Sequence, residues 1–269
     1  MKVWDLTQPW SNQTPPWPYF EDPRVEAVHR YGDNGLYSLK VSTSMHTGTH
    51  MDSPLHFGPG AWDMAEIPLD RLMGTGMVID MSKKVRPLML FGPDLVQECA
   101  PEPVRKGDIL IFHYGWHRYN WCSPERNEEF YFCLHPGPNR AFSDWMVEMG
   151  LKWVGVDCGA FEHPFNTAIG GYRPDLVRRW EKEMGKSYEV LLPEEHRLYN
   201  HKRTLGNNQM HCENVGGDIA KVLGRRFFIA AYPWRFIRGD ASICRILAYE
   251  DIGNTDVIEA MTSPAKLYL

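Results

Sequence analysis

The chain has 269 residues, of which 43% are hydrophobic and 23% are charged, and this composition supports the core of one large globular domain. A formal net charge of −5 predicts no broad basic face, so we expect no nucleic acid among its partners. The sequence begins without an apolar signal-peptide core and has no run of ~18 apolar residues, so we expect a cytoplasmic location and no membrane partner.

The N-terminal residues 1–25 are predicted to form an extended arm. Within them, the stretch SNQTPPWPYFEDP at 11–23 contains four prolines and three aromatic residues, a composition that favours an extended segment over a helix or a strand. Such an arm either packs against the body of the protein or a neighbouring subunit, or forms a partly ordered loop.

The strands are predicted from alternation and from apolar runs. From Tyr37 to Thr47 apolar and polar residues alternate, which indicates a half-buried strand with His46 on its polar face. Five further short strands are predicted at 77–81, 108–114, 152–158, 226–232 and 242–250.

Two helices are predicted among these strands. They cover residues 140–150 and 173–185 and end at Gly150 and Gly185, and the second carries an apolar stripe on one face. Strands mixed with fewer helices favour a single α/β or α+β domain built around a mixed sheet.

The six cysteines are scattered along the chain without a CxxC pair. Because the chain is large and shows no secretory signal, we expect all six to be free thiols, most of them buried like small hydrophobic residues. They are Cys99, Cys122, Cys133, Cys158, Cys212 and Cys244.

The stretch HTGTHMDSPLHF at 46–57 concentrates side chains that bind metals. His46 and His50 are four residues apart, but the threonines, glycine and proline around them argue against a helix. On a straight strand their Cα atoms would lie ~13 Å apart, whereas two nitrogens on one ion lie only ~3–4 Å apart. A shared metal therefore requires a sharp bend, which Gly48 can supply, and Asp52 can add a carboxylate. One histidine alone is more often structural, but three with an aspartate at this spacing predict a metal site.

This stretch resembles the HxGTHxDxPxHF signature of the cyclase family, which includes bacterial kynurenine formamidase and isatin hydrolase. The resemblance implies a single α/β domain over residues 1–269, with a β/β/α swivelling-type fold and a mixed sheet, assembled as a homodimer or homotetramer. The eight specified positions that match are His46, Gly48, Thr49, His50, Asp52, Pro54, His56 and Phe57.

The resemblance also implies a ligand set. In the formamidases a second histidine and a glutamate twelve residues apart complete the site, and His201 and Glu213 stand at that separation. His211 and Cys212 are competing candidates, which we rank below His201. One or two Zn²⁺ or Mn²⁺ ions are implied, with the aspartate as the bridge when there are two. The implied ligands are His46, His50, Asp52, His201 and Glu213.

His56 is the implied catalytic group. A histidine beside a metal site but outside its ligand shell can take a proton from the attacking water and pass it to the departing nitrogen. The open alternative is that His56 is a further ligand, since its imidazole is an equally competent donor.

Four residues are candidates for substrate binding: Trp17, Phe57, Phe161 and His163. The stretch TPPWP resembles the segment whose tryptophan lines the formamidase pocket, which supports Trp17. The other three are aromatic rings near the motifs. Glu162, which lies between Phe161 and His163, could also contact the substrate. Their alternative is a place in the core or in a surface turn.

The function that the resemblance implies is a metal-dependent hydrolase that cleaves a C–N amide bond in a small cyclic amide or an N-acyl or N-formyl arylamine. Segments 114–145 and 163–198 are longer than in the short formamidases, so an isatin hydrolase-like activity fits the chain better. A lactone hydrolase or a cyclase of the same family is the alternative among enzymes. A non-catalytic, metal-dependent protein that binds a small ligand is the alternative outside them, although His56 argues against it.

Overall fold

The computed structural model describes residues 2–250. Most of their strands form one mixed sheet, and helices lie around it. The strands are β1 (Lys2–Asp5), β2 (Arg24–His29), β3 (Ser38–Ser42), β4 (His50–Asp52), β5 (Met73–Asp80), β6 (Leu90–Phe91), β7 (Ile109–His113), β8 (Gly137–Pro138), β9 (Trp153–Val156), β10 (Met210–Glu213), β11 (Arg226–Pro233) and β12 (Ala241–Glu250). The helices are α1 (Tyr31–Asn34), α2 (Leu69–Leu72), α3 (Pro93–Cys99), α4 (Arg140–Glu148), α5 (Ala168–Tyr172), α6 (Pro174–Met184), α7 (Tyr188–Leu191) and α8 (Tyr199–Leu205). Short 3₁₀ turns include Pro54–His56, Trp116–Tyr119 and Pro164–Asn166.

The main sheet has the strand order β1-β12-β11-β5-β7-β9-β10-β4. Strands β5, β7, β9 and β10 are parallel to one another, and the other strands pair antiparallel with their neighbours. Strand β4 is hydrogen-bonded to β10 on one side and to the start of β12 on the other, so the sheet closes into a ring, with β1 added outside it on β12. The predicted α/β fold with a mixed sheet is confirmed.

Two hydrophobic cores lie on the two faces of this ring. The first takes side chains from every strand of the ring and therefore fills its inside, whereas the second lies outside, against helices α3 and α4. Consecutive residues of the parallel strands alternate between them: Val78 and Ile111 face the inner core, and Ile79 and Phe112 the outer one. Because both faces are covered, β5, β7 and β9 are mostly apolar, which is why the sequence predicts them. Strand β10 carries His211 and Glu213 and is not predicted.

Most predicted elements are present. The five later strands correspond to β5, β7, β9, β11 and β12, and the two helices correspond to α4 and α6. The strand predicted from Tyr37 to Thr47 is only partly present, because β3 ends at Ser42 and pairs with β2 in a separate two-stranded ribbon. Alternation misleads here because the ribbon is exposed on both faces, with Leu39 and Val41 about half exposed.

The predicted arm of residues 1–25 is divided. Lys2–Asp5 forms strand β1 at the edge of the main sheet, and Arg24 begins the ribbon strand β2. Residues 6–23 between them have mostly irregular backbone. Residues 251–269 of the predicted single domain lie outside the described residues.

The segment 163–198 builds a third, smaller core. Helices α5 and α6 pack around Phe165, Ile169, Leu176 and Trp180, with α7 beside them. All six cysteines are free, as predicted, but only three are buried and Cys122 is exposed. Among residues 2–250, no helix combines the length and apolar character needed to cross a bilayer.

Candidate metal centre

The chain bends at Gly48, between the first two histidines of the motif. Gly48 has a φ of +67°, in the left-handed region that favours glycine. A Cβ atom at this position would also lie 2.9 Å from Trp10 Cδ1 and 3.0 Å from Thr14 Cγ2. The bend brings the ring centroids of His46 and His50 to 5.1 Å, which is the proximity that a shared ion requires.

The five implied ligands converge at this bend. His50 and Asp52 lie on strand β4, and Glu213 lies opposite His50 on β10. His201 reaches the same point from helix α8, and His46 from the turn before β4. All five side chains are buried. Two strands, a turn and a helix thus bring together residues from two distant parts of the chain.

The metal-binding atoms are spaced as they would be around an ion. His50 Nε2 lies 3.4 Å from Asp52 Oδ1 and 3.6 Å from Glu213 Oε2. His201 Nε2 lies 3.7 Å from Asp52 Oδ2 and 3.6 Å from Glu213 Oε1. His46 Nδ1 lies 3.0 Å from Asp52 Oδ1. Ligands that bind a zinc-like ion at about 2.1 Å are about 3–3.5 Å apart, so small movements would complete a shell.

Two buried atoms of this cluster make no hydrogen bond within residues 2–250: His50 Nε2 and Asp52 Oδ1. His46 Nδ1 is close to Asp52 Oδ1, but the pair does not have hydrogen-bond geometry. His50 Nδ1 lies 2.8 Å from the carbonyl oxygen of Gly48, which only accepts, so Nδ1 carries the proton and Nε2 presents a lone pair. A lone pair facing two buried carboxylates is costly without positive charge between them. A divalent cation satisfies both atoms, and imidazole and carboxylate are suitable ligands for it. The residues present therefore fit a metal ion.

The carboxylates around the cluster attract positive charge. Burial opposes protonation of His46, but the carboxylates of Asp52 and Asp240 outweigh burial and raise the pKa of His46 to about 10. Burial also opposes protonation of His201, and Glu162 and Glu213 raise its pKa to about 10. A cation bound by the same carboxylates would replace these protons.

Glu162 is a supporting residue whose role the sequence did not indicate. It is fully buried, and its Oε2 lies 3.2 Å from His201 Nδ1. Its Oε1 accepts hydrogen bonds from the side-chain amides of Asn166 at 2.7 Å and Asn200 at 2.5 Å. The carboxylate accepts the Nδ1 proton of His201, which leaves Nε2 free to face Asp52.

We expect Glu162→Gln to weaken metal binding by about 10- to 100-fold, because the uncharged amide would no longer fix the tautomer and basicity of His201. Competition with a chelator measures the affinity. The matched control is Glu194→Gln, which removes a carboxylate from an exposed position and should leave the affinity unchanged. An affinity in Glu162→Gln equal to that of the wild type would show that Glu162 does not orient the ligand.

The two competing ligand candidates lie beside the cluster. Cys212 faces the inner core, on the side of β10 opposite to Glu213. His211 is fully buried, and its Nε2 lies 2.5 Å from Thr204 Oγ1. Burial lowers the pKa of His211 well below its ordinary value, so the ring is neutral. Its Nδ1 has no hydrogen-bond partner among the described residues. His211 therefore remains the main alternative to His201 as a metal ligand.

His56 lies at the edge of the cluster, at the end of a 3₁₀ turn that begins at Pro54. Its ring centroid is 4.3 Å from that of His46, and its Nδ1 is 3.6 Å from Asp240 Oδ2. Asp240 also contacts His46 Nε2 at 3.1 Å, and hydrogen bonds from both histidines hold its pKa well below the usual range. Metal-competent atoms of His46, Asp52 and His56 lie within 4.8 Å of one another, so both expected roles of His56 are within reach.

A cavity of about 220 Å³ opens above the cluster. Trp17 and Phe57, two of the four expected substrate-binding residues, line it. The backbone N–H of Trp17 donates to the carbonyl of His46 at 3.1 Å, which ties the N-terminal segment to the site. The longer segment 163–198 contributes further wall residues. The residues that line the cavity are Trp17, Phe20, His46, Asp52, His56, Phe57, Ala160, Thr167, Ala168, Leu198, His201 and Glu213.

Phe161 and His163, the other two expected substrate-binding residues, do not line this cavity. Phe161 faces the outer core and packs on His211 at 4.2 Å, while its backbone N–H donates to Glu213 Oε1 at 2.8 Å. His163 is fully buried, with Nε2 3.1 Å from the carbonyl of Leu88. Its Nδ1 accepts from the backbone of the 3₁₀ turn that follows, so the ring is held away from the cavity.

The buried neutral state of His163 predicts a pH dependence of stability. Burial lowers the pKa of His163 to about 3 from 6.5, so below pH 6.5 the unfolded chain binds a proton that the folded chain excludes. This group then removes about 1.4 kcal/mol of stability for each pH unit of acidification. The quantity to measure is the free energy of unfolding with urea between about pH 6 and 4.5. As the pH is lowered, we expect it to fall by about 1.4 kcal/mol per pH unit less in His163→Gln than in the wild type. Equal slopes for the two proteins would contradict the assignment.

The chain is similar to proteins of known family. A family model described as "Putative cyclase" matches residues 4–163, which include the motif at 46–57 but end before His201 and Glu213. A kynurenine formamidase from Erythrobacter litoralis (strain HTCC2594) is 30% identical over 250 residues, which are 93% of this chain and 94% of that protein.

Two solved structures share the fold. Isatin hydrolase A from Ralstonia solanacearum has a TM-score of 0.72 at 21% identity, with 92% of this chain and 91% of that chain covered. A predicted metal-dependent hydrolase from Bacillus stearothermophilus has a TM-score of 0.62 at 18% identity, with 92% and 97% covered. At these identities the likeness establishes the fold.

Proposed function

This chain belongs to the cyclase family, and from that premise we propose that it is a metal-dependent hydrolase that cleaves a C–N amide bond in a small cyclic amide or an N-acyl arylamine. The observation that carries the proposal is a pair of buried atoms without a hydrogen-bond partner in the described part of the chain, His50 Nε2 and Asp52 Oδ1. Asp52 lines a cavity whose walls away from the cluster are mostly apolar. Such a pair of atoms holds a cation, and such walls hold a small organic molecule.

We propose Zn²⁺ or Mn²⁺ as the metal, because both accept imidazole and carboxylate ligands. His46, His50, Asp52, His201 and Glu213 would hold it. Oδ1 of Asp52 faces His46 and His50, and Oδ2 faces His201, an arrangement that also suits a carboxylate shared by two ions. When bound, the metal supplies activation of water and polarisation of a carbonyl group.

The residues of the chain supply proton transfer. His56 lines the cavity and its side chain is 24% exposed, so it can contact both water and a bound substrate. Its imidazole would take the proton of the attacking water and deliver it to the departing nitrogen. Asp240, which contacts His56 Nδ1, would hold the ring so that Nε2 faces the substrate.

The cavity walls favour a neutral aromatic substrate. Trp17, Phe20 and Phe57 offer ring faces, and Thr167 is the polar wall residue outside the metal cluster. None of the residues that line the cavity is lysine or arginine. The carboxylate of the amino-acid group of N-formylkynurenine would find no lysine or arginine partner in these walls and would lose hydration. An isatin-like bicyclic amide is therefore the substrate class that we favour.

The test is a substrate panel with the protein as purified: isatin, a hydantoin, N-formylkynurenine and an aromatic lactone. We expect hydrolysis of the neutral cyclic amide and little turnover of N-formylkynurenine. Hydrolysis of the lactone alone would identify an ester hydrolase of the same family. Tight binding of one compound without hydrolysis of any would identify a ligand-binding protein and would overturn the proposal.

We further propose that the protein works on its small-molecule substrate in the cytoplasm as a homodimer or homotetramer. Apolar side chains on the exposed ribbon of β2 and β3 support self-association, because exposed apolar clusters mark protein interfaces. They include Val28, Leu39 and Val41, together with Tyr31 and Tyr37 in the connection between the two strands.

A further inference from the structure

A second group of metal-competent side chains lies at the carboxyl ends of the parallel strands. Asp80 ends β5, His113 ends β7, Asp157 follows β9, and His117 lies in the 3₁₀ turn after β7. Asp80 shares its side of β5 with Val78 of the inner core.

This group is separate from the catalytic cluster. His113 shares its side of β7 with Ile111 of the inner core, whereas Glu213 lies on the side of β10 opposite to Cys212, which faces that core. The two groups are thus on opposite faces of the sheet, and they have no residue in common.

Each histidine in the second group is oriented by a carboxylate. His113 Nδ1 lies 3.0 Å from Asp80 Oδ1, and His117 Nδ1 lies 3.1 Å from Asp157 Oδ2. Burial opposes ionisation of Asp80, but hydrogen bonds from Ser82 and His113 lower its pKa below the ordinary value. A carboxylate oxygen accepts hydrogen bonds, so Nδ1 is the donor in each pair and Nε2 is the ring nitrogen left for a ligand.

The carboxylate of Asp157 is itself fixed. It is fully buried, and it accepts hydrogen bonds from the backbone N–H groups of Tyr114 at 2.9 Å and Gly115 at 2.8 Å. These contacts hold the turn that carries His117 against the end of β9. The orientation of the His117 ring is thus set before any ligand binds, which lowers the cost of binding one.

The two imidazoles lie beside each other, with their planes inclined at 42°. Their ring centroids are 5.1 Å apart, and metal-competent atoms of His113, His117 and Asp157 lie within 4.8 Å of one another. Neither Nε2 atom has a hydrogen-bond partner among residues 2–250. His113 is 7% exposed and the His117 side chain 24%, so an ion can enter from solvent.

We propose that His113 and His117 bind a divalent transition-metal ion through their Nε2 atoms, with Asp80 and Asp157 as the carboxylates that orient them. A carboxylate–histidine–metal arrangement is the usual support of such ions, and two imidazoles suit Zn²⁺, Ni²⁺ and Cu²⁺. The ion would join the end of β7 to the turn at 116–119. This site is independent of the proposed catalytic function.

The test is a titration of tag-free holoprotein, with its catalytic site already filled, by Cu²⁺, followed by electron paramagnetic resonance. We expect one additional equivalent with a signal that shows two nitrogen ligands, and its loss in the His113→Gln/His117→Gln variant. His29→Gln, which changes a histidine on the exposed ribbon, is the matched control and should keep the additional equivalent.

Two results would overturn the proposal. The first is wild-type holoprotein that takes up no additional equivalent, a measurement that depends on no variant. The second is the same uptake and the same signal in His113→Gln/His117→Gln as in the wild type. If the double variant folds poorly, the single variant His117→Gln, at the more exposed position, replaces it in the test. Its affinity for the additional Cu²⁺ ion should be at least tenfold lower than that of the wild type.

Discussion

Replacing His56 with alanine should lower kcat by about 10²- to 10⁴-fold while the bound metal remains in place. The expected loss follows from the position of His56, which lines the cavity beside the ligand cluster and contacts Asp240. His56→Ala removes the imidazole that we propose takes the proton of the attacking water. The affinity for substrate should change little, because the ring acts on the proton and not on the ground-state contacts.

The measurement is steady-state kinetics on the substrate identified by the panel, with metal content determined on the same samples. His29→Ala, which removes a histidine distant in sequence from the motif and on the exposed ribbon, is the control and should keep full activity. Full activity in His56→Ala would remove the proposed role. Loss of metal in step with activity would instead identify His56 as a ligand, the alternative that its proximity to His46 and Asp52 leaves open.

Replacing Asp52 with asparagine should remove the metal and abolish turnover. The two oxygens of Asp52 face His46, His50 and His201, so this carboxylate is the common neighbour of all three imidazoles. Changes to residues that only support metal ligands already cost about 10- to 100-fold in affinity, and loss of this central charge should exceed that range.

The shape of the side chain is nearly retained in Asp52→Asn, so the fold should persist and the effect can be read as one on the metal. Elemental analysis and kinetics on the purified variant give the two readouts. Asp94→Asn, an exposed change at the start of α3, is the control and should leave both unchanged. A variant at Asp52 that keeps the wild-type metal content and turnover would contradict the ligand assignment.

The local part of the site could be predicted from the sequence because its physics is local. The spacing of His46, His50 and Asp52 requires a bend, and Gly48 supplies it with a positive φ. The parallel strands β5, β7 and β9 could also be predicted, since burial of both faces leaves an apolar run, whereas β10, with His211 and Glu213, could not. The alternation from Tyr37 to Thr47 predicts a longer strand than the one that forms, because the same pattern occurs on a ribbon with no buried face.

The distant part of the site required more than pattern. His201 and Glu213 were assigned by family resemblance, and only the pairing of β10 with β4 shows why Glu213 meets His50. Glu162 depends on Asn200, 38 residues later, and Asp240 meets His46 across 194 residues. No local spacing encodes such contacts.

Phe161 and His163, two of the expected substrate-binding residues, lie outside the cavity lining for one shared reason. Phe161 and His163 were placed near the substrate because they follow a central strand, but proximity in sequence does not set the direction of a side chain in a turn. Phe161 packs in the outer core, and the ring of His163 accepts a hydrogen bond from the backbone of the 3₁₀ turn that follows it. The cavity walls come instead from Trp17 and from residues such as Leu198, which are far apart in the chain.

The most direct test of the central claim is X-ray diffraction from crystals of the protein as purified, recorded at the absorption edge of the metal that elemental analysis identifies. We expect an anomalous peak within about 2.0–2.2 Å of His50 Nε2 and of carboxylate oxygens from Asp52 and Glu213. Density maps with no peak between these side chains, from a sample that retains turnover, would contradict it.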